Sequence, residues 1–178
     1  NRGDFHPDVL TIPFMVIAIF EATQSRRWRY YFCLSIALFA KNAQALFGLG
    51  LGLYAIARGR YERGLITIVL STFWWFLATH LSSAGGDHVA IRLGYLGDTK
   101  LEMLARLLVQ PWIVFSVTSP SDIFLYSLGL SFPFLALLRK PALACLLGAA
   151  PVYLVNIISD SGIQRELNHH YSIPIVAF

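Results

Sequence analysis

Long apolar stretches separated by short basic clusters are the feature that most limits how this chain can fold. The basic clusters lie at residues 26–29, 58–63 and 139–140. Of all residues, 56% are hydrophobic and 13% are charged, whereas soluble domains average about 25% charged residues. A chain of 178 residues has too little interior to hide so much apolar surface from water. We therefore predict a single all-α domain over residues 1–178, built as a polytopic transmembrane helical bundle.

The basic clusters also predict an orientation and argue against nucleic acid as a partner. Loops rich in Lys and Arg face the cytoplasm in most membrane proteins, so the other end of the helices is assigned to the outer face. All five histidines fall on that outer side, although histidine takes no part in the rule. The net charge of +4 is confined to clusters and does not follow one amphipathic face. Membrane lipids are therefore the expected surroundings, and nucleic acid is not an expected partner.

A break at Lys41 divides the segment between the first two basic clusters. Apolar residues fill 30–40 and 43–57, and one continuous helix would place the second cluster outside. Two half-length helices that meet at a polar tip keep both clusters on the cytoplasmic side. We therefore predict a broken or re-entrant helix pair, in which Gly48 and Gly52 form a GxxxG pair suited to close helix packing.

The remaining apolar stretches predict further helices. A stretch of about 20 apolar residues is long enough to cross the hydrocarbon core of a bilayer. The predicted helices cover residues 9–20, 64–84, 122–138 and 141–159.

Residues 101–110 differ from these stretches because their polar side chains recur with a helical period. Glu102, Arg106 and Gln110 are spaced by four residues and share one helix face. Thr99 together with Glu102 matches a capping box at the start of the helix. The pattern predicts one interfacial helix on the outer surface. The alternative is an ordinary span whose polar stripe faces other helices.

Acids and histidines cluster in two of the predicted outer segments. Carboxylate and imidazole groups in such clusters can act as a general base or bind a divalent metal ion. A divalent metal ion is therefore the candidate cofactor. The alternative for the first cluster is a helix cap with solvated acids. The sequence contains no CxxC or HExxH motif, so we assign no metal ligands. The candidate catalytic residues are Asp4, His6, Asp8, Asp87 and His88.

Cationic and aromatic side chains supply candidates for binding an anionic substrate. Arg165 can clamp a phosphate through two hydrogen bonds, and adjacent histidines can shuttle a proton or coordinate a cation. Lys41 is predicted to lie at membrane depth, where a cation usually faces protein, water or a partner. It could neutralise a lipid phosphate, pair with a carboxylate or extend to the interface. The candidate substrate- or phosphate-binding residues are Lys41, Arg165, His169, His170 and Tyr171.

Both ends of the sequence have the character of internal segments. The chain starts at Asn1 within a polar stretch and stops at Phe178 inside a new apolar run. That last run is too short to cross a membrane. We therefore expect the chain to be an excerpt of a longer protein.

Three short motifs resemble a known family. They are the acid–histidine segment 4–8, the Lys41 break followed by the Leu-Gly repeat of 49–54, and the closing segment 170–172. Together with the order of the spans, they resemble an uncharacterised prokaryotic family of predicted multi-pass membrane proteins over essentially the whole chain. That family is similar to the membrane-embedded GT-C glycosyltransferases, which use polyprenyl-phosphate sugars as donors.

The resemblance implies a place in the prokaryotic inner or plasma membrane and roles for several residues. His6, Lys41, His170 and Tyr171 are the positions that match. The acidic motif of the first outer loop in GT-C enzymes would precede this chain. Where the family pattern tends to place an acid after the lysine, this sequence has Asn42, which weakens the implied catalytic role.

Three functions are open at this point. The resemblance favours a GT-C-like glycosyltransferase at the outer membrane face, in which an outer carboxylate deprotonates the acceptor and Arg165, the histidines or a metal neutralise the leaving phosphate. The interfacial helix would guide the lipid chain. The alternative is a non-catalytic structural subunit of a larger membrane complex, which the aromatic content of 14% suits. A transporter would use the broken helix and Lys41, but the spans lack acids and a visible inverted repeat.

Overall fold

The computed structural model describes residues 8–81, 92–132, 142–166 and 170–178. Within these residues the regular structure is helical and no strand occurs, which confirms the all-α prediction for them. The α-helices are α1 (Asp8–Ala22), α2 (Arg27–Ala40), α3 (Gln44–Ala57), α4 (Tyr61–Leu81), α5 (Lys100–Val109), α6 (Pro120–Ser131), α7 (Ala142–Ile158) and α8 (Ile173–Val176). The 3₁₀ turns are Gly94–Leu96, Pro111–Ser116, Gly162–Arg165 and His170–Ser172.

The first four helices form two helical hairpins that join at residues 41–43. α1 packs against α2, and α3 packs against α4. Lys41 has an extended backbone, with φ −165° and ψ 146°, and this conformation ends α2. Gly59 has φ 76° in the turn between α3 and α4, a conformation that favours glycine. The predicted break at Lys41 is confirmed. We call the end of the bundle with residues 23–26 and 58–60 the basic end, and the opposite end the Lys41 end.

α3 lies between α4 and α7, and its glycines allow both neighbours to approach closely. A Cβ atom on Gly52 would lie 2.9 Å from the carbonyl oxygen of Gly64 in α4, and one on Gly48 would overlap Ser71 of the same helix. The predicted GxxxG pair therefore packs against α4. Gly50 faces the other way, where an added Cβ would overlap the backbone of Gly148 in α7.

α4 is the one described helix that is long and apolar enough to cross a membrane. Its 21 residues extend for about 31 Å, close to the roughly 30 Å of a hydrocarbon core. The helix predicted at residues 64–84 is thus found, and it begins three residues earlier; residues 82–84 lie outside the described residues. The other apolar helices (Val9–Ala22, Gln44–Ala57 and Ala142–Ile158) are shorter. Additional crossings, and with them the polytopic arrangement and its orientation, stay predictions.

α5 begins with the predicted capping box. The Thr99 hydroxyl accepts a 3.2 Å hydrogen bond from the backbone N–H of Glu102, whose Oε2 accepts a 3.1 Å bond from the backbone N–H of Thr99. Met103 is buried against the protein, and a row of exposed leucines lies on another side of the helix: Leu101, Leu104 and Leu108. The helix and its cap are confirmed, whereas its position along a membrane surface stays a prediction.

α6 and α7 pack through aromatic and hydroxyl groups. The rings of Tyr126 and Tyr153 stack with centroids 5.9 Å apart, and Ser127 Oγ lies 2.5 Å from Tyr153 Oη. α7 confirms the helix predicted at 141–159. The helix predicted at 122–138 is described only as far as α6 reaches, because residues 133–141 lie outside the described residues.

A buried arginine joins α4 to the end of α1. Arg63 is 8% exposed, and its Nη1 donates hydrogen bonds of 2.6, 2.7 and 2.8 Å to the carbonyl oxygens of Glu21, Ala22 and Gln24. The carbonyls of Glu21 and Ala22 belong to the last turn of α1, where a helix leaves carbonyl oxygens without intrahelical partners, and Gln24 follows the helix. The guanidinium also lies 5.2 Å from the ring centroid of Tyr30 in α2. Arg63 therefore caps α1 and holds three helices together.

Candidate functional site

Tyr171 is the centre of a polar cluster at the Lys41 end of the bundle. The guanidinium carbon of Arg92 lies 5.0 Å from the centroid of its ring, and Lys41 Nζ lies 5.8 Å from it. Both distances are within the range of cation–π attraction, about 6 Å. Arg92 Nη2 also donates a 3.0 Å hydrogen bond to Tyr171 Oη. Three segments that are distant in sequence therefore meet at one aromatic ring.

A buried asparagine fixes the backbone of this cluster. Asn156 of α7 donates from Nδ2 to the carbonyl oxygen of Tyr171 at 3.3 Å and to Tyr126 Oη at 2.8 Å. Tyr126 Oη in turn lies 3.3 Å from the hydroxyl of Ser172. The 3₁₀ turn that carries Tyr171 is therefore attached to both α6 and α7, and the ring has a defined position.

Arg165 also contacts Asn156, and it caps α7. Its Nη1 donates a 2.6 Å hydrogen bond to the carbonyl oxygen of Ser159 and a longer one, 3.4 Å, to that of Asn156. Within the described residues, its Nη2 and Nε make no hydrogen bond. One nitrogen of the guanidinium thus has a structural role, and the other two have no hydrogen bond within the described residues.

The segment before α5 is held against the end of α7. The carbonyl oxygen of Arg92 accepts a 3.1 Å bond from the backbone N–H of Asp160, and Tyr95 Oη donates a 2.6 Å bond to the carbonyl oxygen of Ile158. Burial raises the pKa of Tyr95, and the charge of Asp160 raises it further. The charge of Arg165 lowers this pKa, but by less than burial raises it. Tyr95 is therefore a neutral donor at physiological pH, and it keeps Arg92 beside Tyr171.

Three cationic side chains, Lys41, Arg92 and Arg165, belong to the cluster, and Asp160 lies beside them. Ion pairs join Arg27 to Glu62 and Arg29 to Glu21, both near the basic end. Neither Arg92 nor Arg165 pairs with a carboxylate in the part of the chain that the structure describes. Guanidinium groups of this kind bind phosphate and carboxylate with paired hydrogen bonds. The geometry suits an anionic ligand that approaches the Tyr171 ring.

A family model described as "Predicted membrane protein (DUF2079)" matches residues 1–178. The chain belongs to this family. The match confirms a membrane protein and the resemblance to a family of predicted membrane proteins, and the description carries no activity. No curated protein and no solved structure matches the DUF2079 chain.

The structure brings together part of the predicted binding set. Lys41 and Tyr171 are in contact, and Arg165 is linked to them through Asn156. His170 starts a 3₁₀ turn beside Tyr171, and its side chain lies outside the description. The predicted binding residue His169 also lies outside the described residues.

The predicted catalytic residues stay untested. Asp8 is the first residue of α1, which places its backbone at the Lys41 end, and the description does not include its side chain. Within the described part of the chain, no group of three His, Cys, Asp or Glu side chains could hold a metal. The divalent cation stays a prediction for the clusters outside it. The other candidates lie outside the described residues: Asp4, His6, Asp87 and His88.

Sequence reasoning missed Arg92 and Asn156. A signal existed for each. Arg92 is a cation on the predicted outer side, where the positive-inside rule leaves few cations. Asn156 is an amide within the otherwise apolar sequence of α7, and polar groups inside predicted spans often have a functional or packing role.

Proposed function

We propose that this chain is part of a GT-C-like membrane glycosyltransferase that uses a polyprenyl-phosphate sugar at the outer face of the prokaryotic inner or plasma membrane. The observation that carries the proposal is the contact of Arg92 and Lys41 with the ring of Tyr171. Arg165 adds a third positive charge to the same end of the bundle. A sugar-phosphate lipid presents the matching chemistry, an anion next to an apolar chain.

The cationic cluster suits the departure of a phosphate. In the proposed reaction the acceptor oxygen forms a bond to the anomeric carbon of the sugar, while the bond from that carbon to the phosphate oxygen breaks. Negative charge then grows on the polyprenyl phosphate. Arg92, Lys41 and Arg165 would stabilise this charge more strongly in the transition state than in the bound donor.

The general base is assigned to the predicted acid clusters. The proton of the acceptor hydroxyl has to reach a carboxylate or imidazole as the new bond forms. The start of α1 at the Lys41 end supports the first cluster, which contains Asp4, His6 and Asp8. Asp87 and His88 are the second option. A divalent ion held by either cluster would assist the leaving phosphate.

Binding of the donor tests the proposal before any acceptor is known. Arg92→Gln and Lys41→Gln variants of the full natural protein, in mild detergent, are titrated with polyprenyl phosphate. We expect each to bind it about tenfold or more weakly, because a charged hydrogen-bond partner is lost. Arg27→Gln removes an exposed arginine at the opposite, basic end and serves as the matched control, with unchanged binding.

Sugar transfer is measured next, with the same variants and with Asp4→Asn and His6→Gln. We expect the acid and histidine variants to bind donor normally and to lose transfer. Equal donor binding by the wild type and Arg92→Gln would contradict the phosphate site. Purification at fixed stoichiometry within a larger complex, without bound lipid phosphate, would instead favour the structural subunit.

A further inference from the structure

Contacts across the basic end hold two turns in fixed positions. Arg60, in the turn between α3 and α4, donates a 2.7 Å hydrogen bond from Nη2 to the carbonyl oxygen of Thr23, which follows α1. Arg27 at the start of α2 makes two 3.0 Å hydrogen bonds to the carboxylate of Glu62 in α4. The buried side chain of Arg63 crosses the same boundary. The arginines on the two turns therefore form one continuous surface.

This surface has more positive charge than the protein neutralises. The two turns and the helix ends beside them contain six arginines and two glutamates. Arg27 and Arg29 are paired with these two glutamates. The side chains of Arg26 and Arg58 are exposed, and they make no hydrogen bond or ion pair with any residue that the structure describes. An anion from outside the chain can therefore bind them without displacing a protein partner.

Exposed aromatic side chains follow these two arginines closely in the sequence: Trp28 after Arg26, and Tyr61 after Arg58. Trp28 is 70% exposed and Tyr61 is 66% exposed. Trp and Tyr are enriched where a membrane protein passes from hydrocarbon to water. Tyr61 is the first residue of α4, the described helix that can cross a bilayer, so the arginines are placed at the level of lipid headgroups.

We infer that the surface formed by Arg26, Trp28, Arg58 and Tyr61 binds the headgroup of an anionic glycerophospholipid from the surrounding leaflet. Guanidinium groups bind phosphate oxygens in pairs, and the two aromatic side chains contact the glycerol and upper acyl region. A soluble anion would use the arginines but not the aromatic side chains. The site is at the opposite end of the bundle from Tyr171, so it does not depend on the proposed sugar transfer.

The test compares phosphatidylglycerol with phosphatidylcholine on the full natural protein in mild detergent. Native mass spectrometry measures lipid retention, and thermal unfolding measures stabilisation. Each basic residue near an anionic membrane contributes roughly a fivefold factor to binding. We therefore expect the Arg26→Gln/Arg58→Gln variant to bind phosphatidylglycerol about 25-fold more weakly, with unchanged binding of phosphatidylcholine.

Matched variants separate this site from general charge effects. Arg106→Gln also removes an exposed arginine, and we expect it to retain phosphatidylglycerol like the wild type. Trp28→Ala tests the aromatic part and should weaken retention without any change in net charge. Equal retention of the two lipids by the wild type would overturn the inference. So would wild-type retention by the double variant, or equal stabilisation by inorganic phosphate alone.

Discussion

Replacing Gly64 by Ala tests whether the close contact between α3 and α4 determines the stability of the bundle. The Cβ of the new alanine would lie 2.6 Å from the carbonyl oxygen of Gly52 and 2.5 Å from Cγ1 of Ile56. The isoleucine can change its rotamer, but the carbonyl belongs to the backbone of α3. The helices must therefore separate by about 0.8 Å to restore an ordinary contact of 3.4 Å.

The size of the effect follows from two opposing contributions. Overpacking of a tight contact costs about 1–3 kcal/mol, and an obstacle in the backbone favours the upper part of that range. Alanine regains up to about 1 kcal/mol because its helix propensity is higher than that of glycine. We therefore expect the Gly64→Ala variant to be destabilised by about 1–2 kcal/mol. For a chain of this size, that corresponds to a Tm lower by roughly 2–8 °C.

Thermal unfolding in one detergent, followed by circular dichroism, measures this difference. Gly162→Ala is the control, because an added Cβ there meets no atom within 4 Å and its Tm should stay close to that of the wild type. The Gly50→Ala variant should have a lower Tm than the Gly64→Ala variant, because its Cβ would overlap the backbone of Gly148. A Gly64→Ala protein as stable as the wild type or more stable would refute the argument that backbone contact fixes the α3–α4 spacing.

Three further predictions concern single hydrogen-bonded groups. Arg63→Leu leaves the carbonyls at the end of α1 without their donor, so we expect a loss of about 3 kcal/mol by thermal unfolding, and a smaller loss for Arg63→Lys. Thr99→Ala removes the capping box and should cost about 1 kcal/mol; hydrogen exchange should become faster in α5 and stay unchanged in α4. Because burial raises the Tyr95 pKa above 10.0, its contribution is complete below pH 10 and is lost as the pH rises through the folded pKa. Stability of Tyr95→Phe should therefore fall less steeply above pH 10 than that of the wild type.

Local sequence signals predicted the helices well. The apolar stretches placed α1, α3, α4 and α7 within a few residues, because a helix has to satisfy its own backbone wherever water is scarce. The break at Lys41 followed from the polar residues between two apolar stretches and from the basic clusters, both of which had to lie at one end. The capping box followed from the identities of Thr99 and Glu102.

The site was less predictable because it depends on contacts between distant segments. The sequence singled out Lys41, Arg165 and Tyr171 individually, but nothing in their spacing indicated that Arg92 would lie beside the same ring. That contact depends on how the segment before α5 folds onto the end of α7. Arg165 was predicted as a phosphate clamp, and in the structure one of its nitrogens donates a hydrogen bond to the carbonyl oxygen of Ser159 at the end of α7. Both outcomes depend on tertiary packing, which periodicity does not describe.

The reach of Arg63 has a consequence for biosynthesis. The carbonyl groups that end α1 receive their hydrogen bonds from a residue that the ribosome adds about forty positions later. Until α4 emerges, the end of α1 must therefore rely on water or on the insertion machinery for those bonds. We expect the first four helices to leave that machinery as one assembled unit, and a chain arrested before α4 to be retained there or degraded.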